Sequence, residues 1–276
     1  MTPTLFAVVL GAAVLHASWN AWVKSTGRAA LAMGMISLGW VLAAIVVLPF
    51  VAPPLPASLP FVGASVVIHL GYMVGLARLY DAADLSRAYV LVRALPPLVV
   101  TASSMVLLSE RLDSAKWVGV VLVVLGVLAV APPRRDAWSA AMLRALVPTV
   151  LAIAAYTMVD GVGARRSGSA IGYALFLSLI QGALYVAFLV ATERRAFVAF
   201  VRERGAFGLG AGVASAIAYT SILWCMTRAP IGIVAALRES SVLVASFLGG
   251  AFLGERVPGG AFVGAGLVVL GAIAMR

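Results

Sequence analysis

In the stretch VAALRESSVLVASF (residues 234–247), an arginine and a glutamate stand side by side in a run that is otherwise apolar from 231 to 253. Arginine keeps its charge at any physiological pH and presents a planar fork of donors, suited to gripping a carboxylate or phosphonate through parallel hydrogen bonds. Its insertion at the centre of an apolar helix costs about 2.5–3.5 kcal/mol, so Arg238 and Glu239 either serve a site or orient their helix as a pair. Neighbours on a helix point roughly 100° apart, which makes a clean pair between them awkward and a position on an internal cavity the expectation. Arg93 of LVRALPPLV occupies comparable surroundings 145 residues earlier, and Pro96, first of the Pro96–Pro97 pair there, falls on Ser241 of the Ser240–Ser241 pair here. Two prolines inside a helix remove two backbone donors and kink or interrupt it. Since serines stand at the later place, the interruption is expected on one side only. Arg238, Arg93, Glu239 and Ser241 head the candidate binding residues.

His16, Asn20 and Lys24 recur at i, i+4 and i+8, which puts them on one helical stripe. A polar stripe in an apolar span faces the bundle interior or water rather than lipid. His16 is a candidate proton carrier, or else a neutral histidine bonded between helices. Asn20 joins the binding candidates, and Lys24, near the span end, reaches for the interface. Tyr156 and Asp160 share a face by the same spacing. Asp160 either lines a cavity, where it and Glu239 join His16 as proton carriers, or belongs to the helix end before GVGARR. His69 and Tyr72 lie three apart, and Tyr219 of AYTSI matches Tyr72 of GYMVG at an offset of 147. Tyr72, Tyr156 and Tyr219 offer π faces and hydroxyls to a ligand.

The elements that must position these groups follow from composition. The chain has 276 residues, of which 63% are hydrophobic and 11% charged. A soluble domain carries about 25% charged residues. This much apolar surface finds cover only in a bilayer, whose core a helix of about 20 residues spans. Runs of that length fall near 3–23, 30–50, 58–80, 85–108, 115–131, 142–162, 170–191, 206–227, 231–253 and 258–275. In lipid the backbone must satisfy its own hydrogen bonds, so these runs are read as ten helices. The first run lacks a basic leader and reads as a retained span rather than a signal peptide. The net charge of +10 sits mostly in short breaks, where it meets lipid headgroups, so no nucleic-acid partner is implied. The single cysteine, Cys225, lies in an apolar run and reads as a packing residue.

The two sets of five are copies. LSERLDSAKWVGVVLVVLGVLA (108–129) aligns without gaps on LGERVPGGAFVGAGLVVLGAIA (253–274), with eleven of 22 positions identical. The matches include Glu110/Glu255, Arg111/Arg256, Gly119/Gly264 and Gly126/Gly271. The glutamates and arginines read as caps and ion pairs at the membrane edge, and the glycines as close approach of helices five and ten. Residues 1–131 form one repeat and 142–276 the other, joined by a linker at 132–141 within a polar stretch that includes APPRRDAW. Residues 191–207 read as an interfacial helix or loop. Five spans is an odd number, so the second repeat enters the membrane inverted, an arrangement that in transporters places the site at the repeat interface near the midplane.

With the paired SER and GER signatures, LRESSVL, SWNAWVK and YTMVDG, the chain resembles the EamA-type branch of the drug/metabolite transporter superfamily over essentially its full length. The resemblance implies an all-α integral membrane protein of ten transmembrane helices, in two inverted five-helix repeats around a central cavity for small metabolites. It implies a multi-pass protein of the cell (inner or plasma) membrane, with both termini in the cytoplasm. The basic residues lean the other way. With termini inside, the outer connections hold ten of them (Lys24, Arg28, Arg134, Arg135, Arg144, Arg194, Arg195, Arg202, Arg204, Arg256) against six within. The first helix lacks the embedded glutamate of related small multidrug antiporters, which argues against cation exchange by that chemistry. No Walker loop, C-x-x-C, H-E-x-x-H or G-x-S-x-G is present, so neither an enzyme nor a cofactor or metal is expected. The reading is a secondary transporter of a small polar metabolite (amino-acid-like, organic-acid or phosphonate), with protons as candidate coupling ion; the alternative is an exporter of lipophilic drugs or cations.

Overall fold

The structure, a computed structural model, describes residues 1–82, 85–130, 139–254 and 256–276. All regular elements among them are helical. They run α1 (Pro3–Ser25), α2 (Ala29–Val47), α3 (Leu59–Ala82), α4 (Leu85–Ala94), α5 (Pro96–Leu108), α6 (Ser114–Val130), α7 (Ala140–Arg166), α8 (Ala170–Met226), α9 (Ile231–Arg238), α10 (Ser241–Leu253) and α11 (Gly259–Ala274). Starts follow the sequence: the Thr2 hydroxyl accepts from Leu5 N ahead of α1, and the Ser139 hydroxyl accepts from Met142 N at 3.0 Å ahead of α7.

Seven stretches are long and apolar enough to cross a membrane: Pro3–Ser25, Ala29–Phe50, Pro56–Leu76, Val90–Leu108, Ala140–Arg166, Ala170–Met226 and Ile231–Ala251. The shorter α6 and α11 are also apolar. Polarity is arranged as lipid demands. Phe50, Val106, Leu107, Phe207 and Phe262 lie exposed on the outside, while Asp160, Arg238 and Glu239 are buried. Residues 191–207 are helical throughout: α8 runs through them and bends only at Glu193, whose φ of −133° and ψ of 34° leave the helical region. Of the linker at 132–141, residues 132–138 lie outside the described residues.

The breaks carry the main correction. The Val90–Leu108 stretch is interrupted between α4 and α5, as the prolines require, but Ile231–Ala251 is interrupted as well, between α9 and α10. The later helices begin at Pro96 and Ser241, 145 residues apart, so the interruption is paired rather than one-sided. At the first break Pro96 and Pro97 bring no N–H to the carbonyls of Val92 and Arg93. At the second, Val242 N donates to Glu239 O at 3.0 Å, three residues back instead of four, and Glu239 N and Ser240 N do likewise to Ala236 O and Leu237 O. That is a 3₁₀ turn inside a span, a local tightening often found at hinges.

Packing brings the breaks together. α1 lies against α9 and α10, and α5 lies against α7 and α9. The α5–α9 crossing needs Gly232, where a Cβ would come 2.7 Å from the Thr101 Cα. α6 and α11 pair through their glycines: a Cβ on Gly126 would sit 2.8 Å from the Gly264 carbonyl oxygen, and one on Gly119 2.6 Å from that of Gly271. The two ends of the chain meet, with the Met1 amino group donating to the Arg276 carbonyl at 3.0 Å.

Candidate functional site

Where the breaks meet, a knot of charge forms. Arg238 closes α9, and Glu239 follows it in the tightened turn. The turn removes the angular obstacle expected of helical neighbours. Arg238 Nε and Nη2 both donate to Glu239 Oε1, at 3.2 and 3.1 Å. Arg93, in the last turn of α4, reaches the other oxygen, with Nε 2.9 Å from Oε2. Its Nη2 donates to Ser241 Oγ at 3.0 Å and approaches His16 Nε2 at 3.3 Å. A guanidinium accepts nothing, so His16 Nε2 is the acceptor in that contact and the ring is neutral in this arrangement. One carboxylate thus bridges two guanidiniums, 2% exposed, with Arg238 at 9%. The knot carries a formal excess of one positive charge. Ser240 Oγ, buried in the same turn, has no hydrogen-bond partner among the described residues.

The helix-one stripe is only partly drawn in. His16 enters the knot and meets Trp19 edge-on at 4.9 Å. Asn20 donates its amide back to the His16 carbonyl at 2.7 Å, a contact within its own helix. Lys24 lies in the last turn of α1, and Arg78 is exposed on α3.

A second polar centre stands on α7. Asp160 is inside the helix rather than at its end, 1% exposed. Tyr219 Oη donates to its Oδ2 at 2.5 Å and Tyr173 Oη to its Oδ1 at 3.3 Å. One turn before it, Tyr156 stacks on His69 with ring centroids 4.0 Å apart, and Tyr72 meets Tyr156 edge-on at 5.9 Å. His69 Nδ1 lies 2.9 Å from the Ser65 carbonyl oxygen and 3.1 Å from the Gln181 amide nitrogen. Tyr173 and Gln181, both on α8, carried no sequence signal, since single polar residues in apolar runs announce nothing. Ser65 was not among the candidates, and its i, i+4 spacing to His69 is the signal that could have found it.

The two centres share one space. Tyr156, Thr157, Asp160, Tyr219 and Arg238 line a single gap between helices, closed so tightly that it has no room for a water molecule. Candidate residues that lay 222 positions apart in the chain, His16 and Arg238, are therefore parts of one interior. At one end of the bundle Glu110 pairs with Arg165 at 2.5 Å and accepts from Ile231 N at 3.1 Å, which caps the first turn of α9 from the connection between α5 and α6. Its partner is Arg165 rather than its neighbour Arg111, which is exposed. The matching Glu255 lies outside the described residues.

No family model matches the chain, and no curated protein matches it. A protein known from a crystal structure is similar in fold, with a TM-score of 0.68 and 20% identity over 99% of this chain and 96% of the other. At that identity the likeness concerns the fold alone.

Proposed function

We propose that this protein is a secondary active transporter of the EamA type, which moves a small polar metabolite across the cell (inner or plasma) membrane by alternating access. In this reading the membrane is crossed ten times. The seven long stretches count α8 once; its two arms about Glu193 add a crossing, and α6 and α11 add two more. Residues 1–131 and 142–276 are then inverted repeats, and their rocking about the central gap opens it to one side and the other. The observation that carries the reading is the pair of helix breaks 145 residues apart, each with an arginine in the last turn before it that joins one buried knot. Interrupted spans at corresponding places of two halves mark transport sites, and ionisable groups inside a membrane are kept for function.

Arg238 and Arg93 hold the anionic group of the substrate, which is amino-acid-like, an organic acid or a phosphonate. Glu239 keeps the two guanidiniums together while their excess charge attracts it. Ser241 and the tyrosines at 72, 156 and 219 complete the contacts, with Asn20 at the margin. His16, Glu239 and Asp160 are the candidate proton carriers. No covalent chemistry is assigned to the site.

Uptake into proteoliposomes tests this. Saturable, counterflow-competent uptake of an anionic or zwitterionic metabolite is expected. Arg238→Ala should weaken it at equal protein content, while Glu239 keeps Arg93 as partner. Unchanged affinity and rate in that variant would sink the anion clamp, and uptake restricted to lipophilic cations would replace this reading with multidrug export.

A further inference from the structure

Resting on the transport reading above, we propose that the substrate is a zwitterion, its anionic group bound at the arginine knot and its ammonium group at Asp160 and the aromatic rings beside it. Among the described residues the knot holds two guanidiniums to one carboxylate, with His16 a neutral acceptor, a formal excess of one positive charge. Asp160 presents the opposite case. Its donors include the neutral hydroxyls of Tyr219 and Tyr173, one to each oxygen, and no lysine or arginine pairs with it among the described residues. The Ser65 hydroxyl is a further donor; since each oxygen accepts about two hydrogen bonds, three donors leave the carboxylate capacity for an ammonium. Tyr156 lines the same gap, and an aromatic ring attracts an organic cation.

Geometry joins the two. Asp160 and Arg238 line the same gap, as do Tyr156 and Tyr219, yet no ion pair joins the two among the described residues. A buried carboxylate and a buried guanidinium that share a space without neutralising one another are both served by one molecule bearing both charges. Such a molecule enters a low-dielectric interior without net charge, whereas an anion leaves Asp160 uncompensated and a cation leaves the knot so.

The test uses purified protein in lipid nanodiscs and thermal stabilisation. The probes are ω-amino acids from glycine to 5-aminopentanoate and 2-aminoethylphosphonate. Each is compared with its N-acetyl derivative, which keeps only the anion, and with its ester, which for the carboxylic acids keeps only the ammonium. One chain length is expected to stabilise, with both single-charge derivatives at least about tenfold weaker. Asp160→Asn should lose the preference over the N-acetyl form, while Arg238→Ala weakens both. The wild-type comparison stands without any variant, so a misfolded Asp160→Asn does not remove the test. N-acetyl derivatives that bind as tightly as the parent in wild type overturn the ammonium site but leave an anion transporter, provided Arg238→Ala weakens them. Stabilisation by esters alone, indifferent to Arg238→Ala, overturns the transport reading as well, and no stabilisation by any zwitterion overturns the proposal.

Discussion

The two interrupted spans reach the same geometry by different chemistry. Between α4 and α5 the cause is covalent: Pro96 and Pro97 supply no donors, yet Leu95 keeps helical angles (φ −79°, ψ −38°) and its N–H still reaches Leu91 O at 3.1 Å. Between α9 and α10 every residue has its donor, and the backbone itself tightens, with Glu239 at φ −71°, ψ −10° and Ser240 at φ −55°, ψ −20°. What holds that turn is the carboxylate it presents to two arginines. One break is written into the chain and persists regardless of its surroundings. The other exists because a charge pair needs it, and it depends on what the charges bind. In the proposed reading, a substrate anion that draws on the arginines acts on the second break directly and on the first only through Arg93.

The sharpest way to break this contrast is Glu239→Gln. It keeps the shape but removes the negative charge that both guanidiniums face, and breaking a buried ion pair costs about 3–5 kcal/mol. A large fall in thermal stability is expected, with partial recovery when Arg93→Met is added, since the second change removes one of the two positive charges that faced the carboxylate. A Glu239→Gln protein as stable as wild type would show that the turn is set by the backbone alone.

Next in size is Glu110→Gln. The short α9 is held at its far end by Arg238 and Glu239 and at its near end by the Glu110 carboxylate on Ile231 N and Arg165. Loss of a charged hydrogen-bond partner costs about 1–3 kcal/mol. The expected result is a moderate drop in melting temperature together with a change in transport rate, because α9 carries Arg238. If rate and stability both stay put, the helix is anchored by packing instead.

Much of the architecture was legible before any coordinates. The repeat offset of 145 placed Arg93 opposite Arg238, and the glycine matches placed α6 against α11. The break at 239–240 was not legible, because no proline or glycine announces it and the cause is a contact from Arg93, distant in sequence. The same distance hid the role of Asp160. Its spacing from Tyr156 put both on one face of α7, but only the fold brings Tyr173 and Tyr219 to the carboxylate. His16 was legible as an interior residue. Its neutral, acceptor role follows from which donor reaches it, and a sequence does not state that.

Pro96→Ala combined with Pro97→Ala probes the covalent break. The alanines restore N–H groups for the carbonyls of Val92 and Arg93, so stability should change by no more than about 1 kcal/mol in either direction. Transport should suffer more than stability, since a straightened span carries Arg93 away from Ser241 and Glu239. Spin labels on α4 and α5 report the bend. Normal transport with a straight helix would show that the first break is not needed for the site.

The smallest effect is expected where the two halves differ at their last helices. α6 is preceded by Asp113, whose Oδ1 accepts from Lys116 N at 2.9 Å and whose other oxygen pairs with the Lys116 ammonium. The place 145 residues later is Pro258, which gives α11 no side-chain cap. Asp113 lies outside the spans, and the hydrogen bonds from Lys116 hold its carboxyl below the ordinary value of 3.8. A depressed folded-state value means that the contribution is fully present above the unfolded value and disappears as pH falls through the folded one. Asp113→Asn should therefore lower the melting temperature slightly at neutral pH, and the difference should shrink once the pH drops below 3.8. The pair is solvent-exposed, so added salt should weaken the ion-pair part of the effect and leave the backbone cap. A difference that grew on acidification would reverse the sign and assign the stabilisation to the protonated acid.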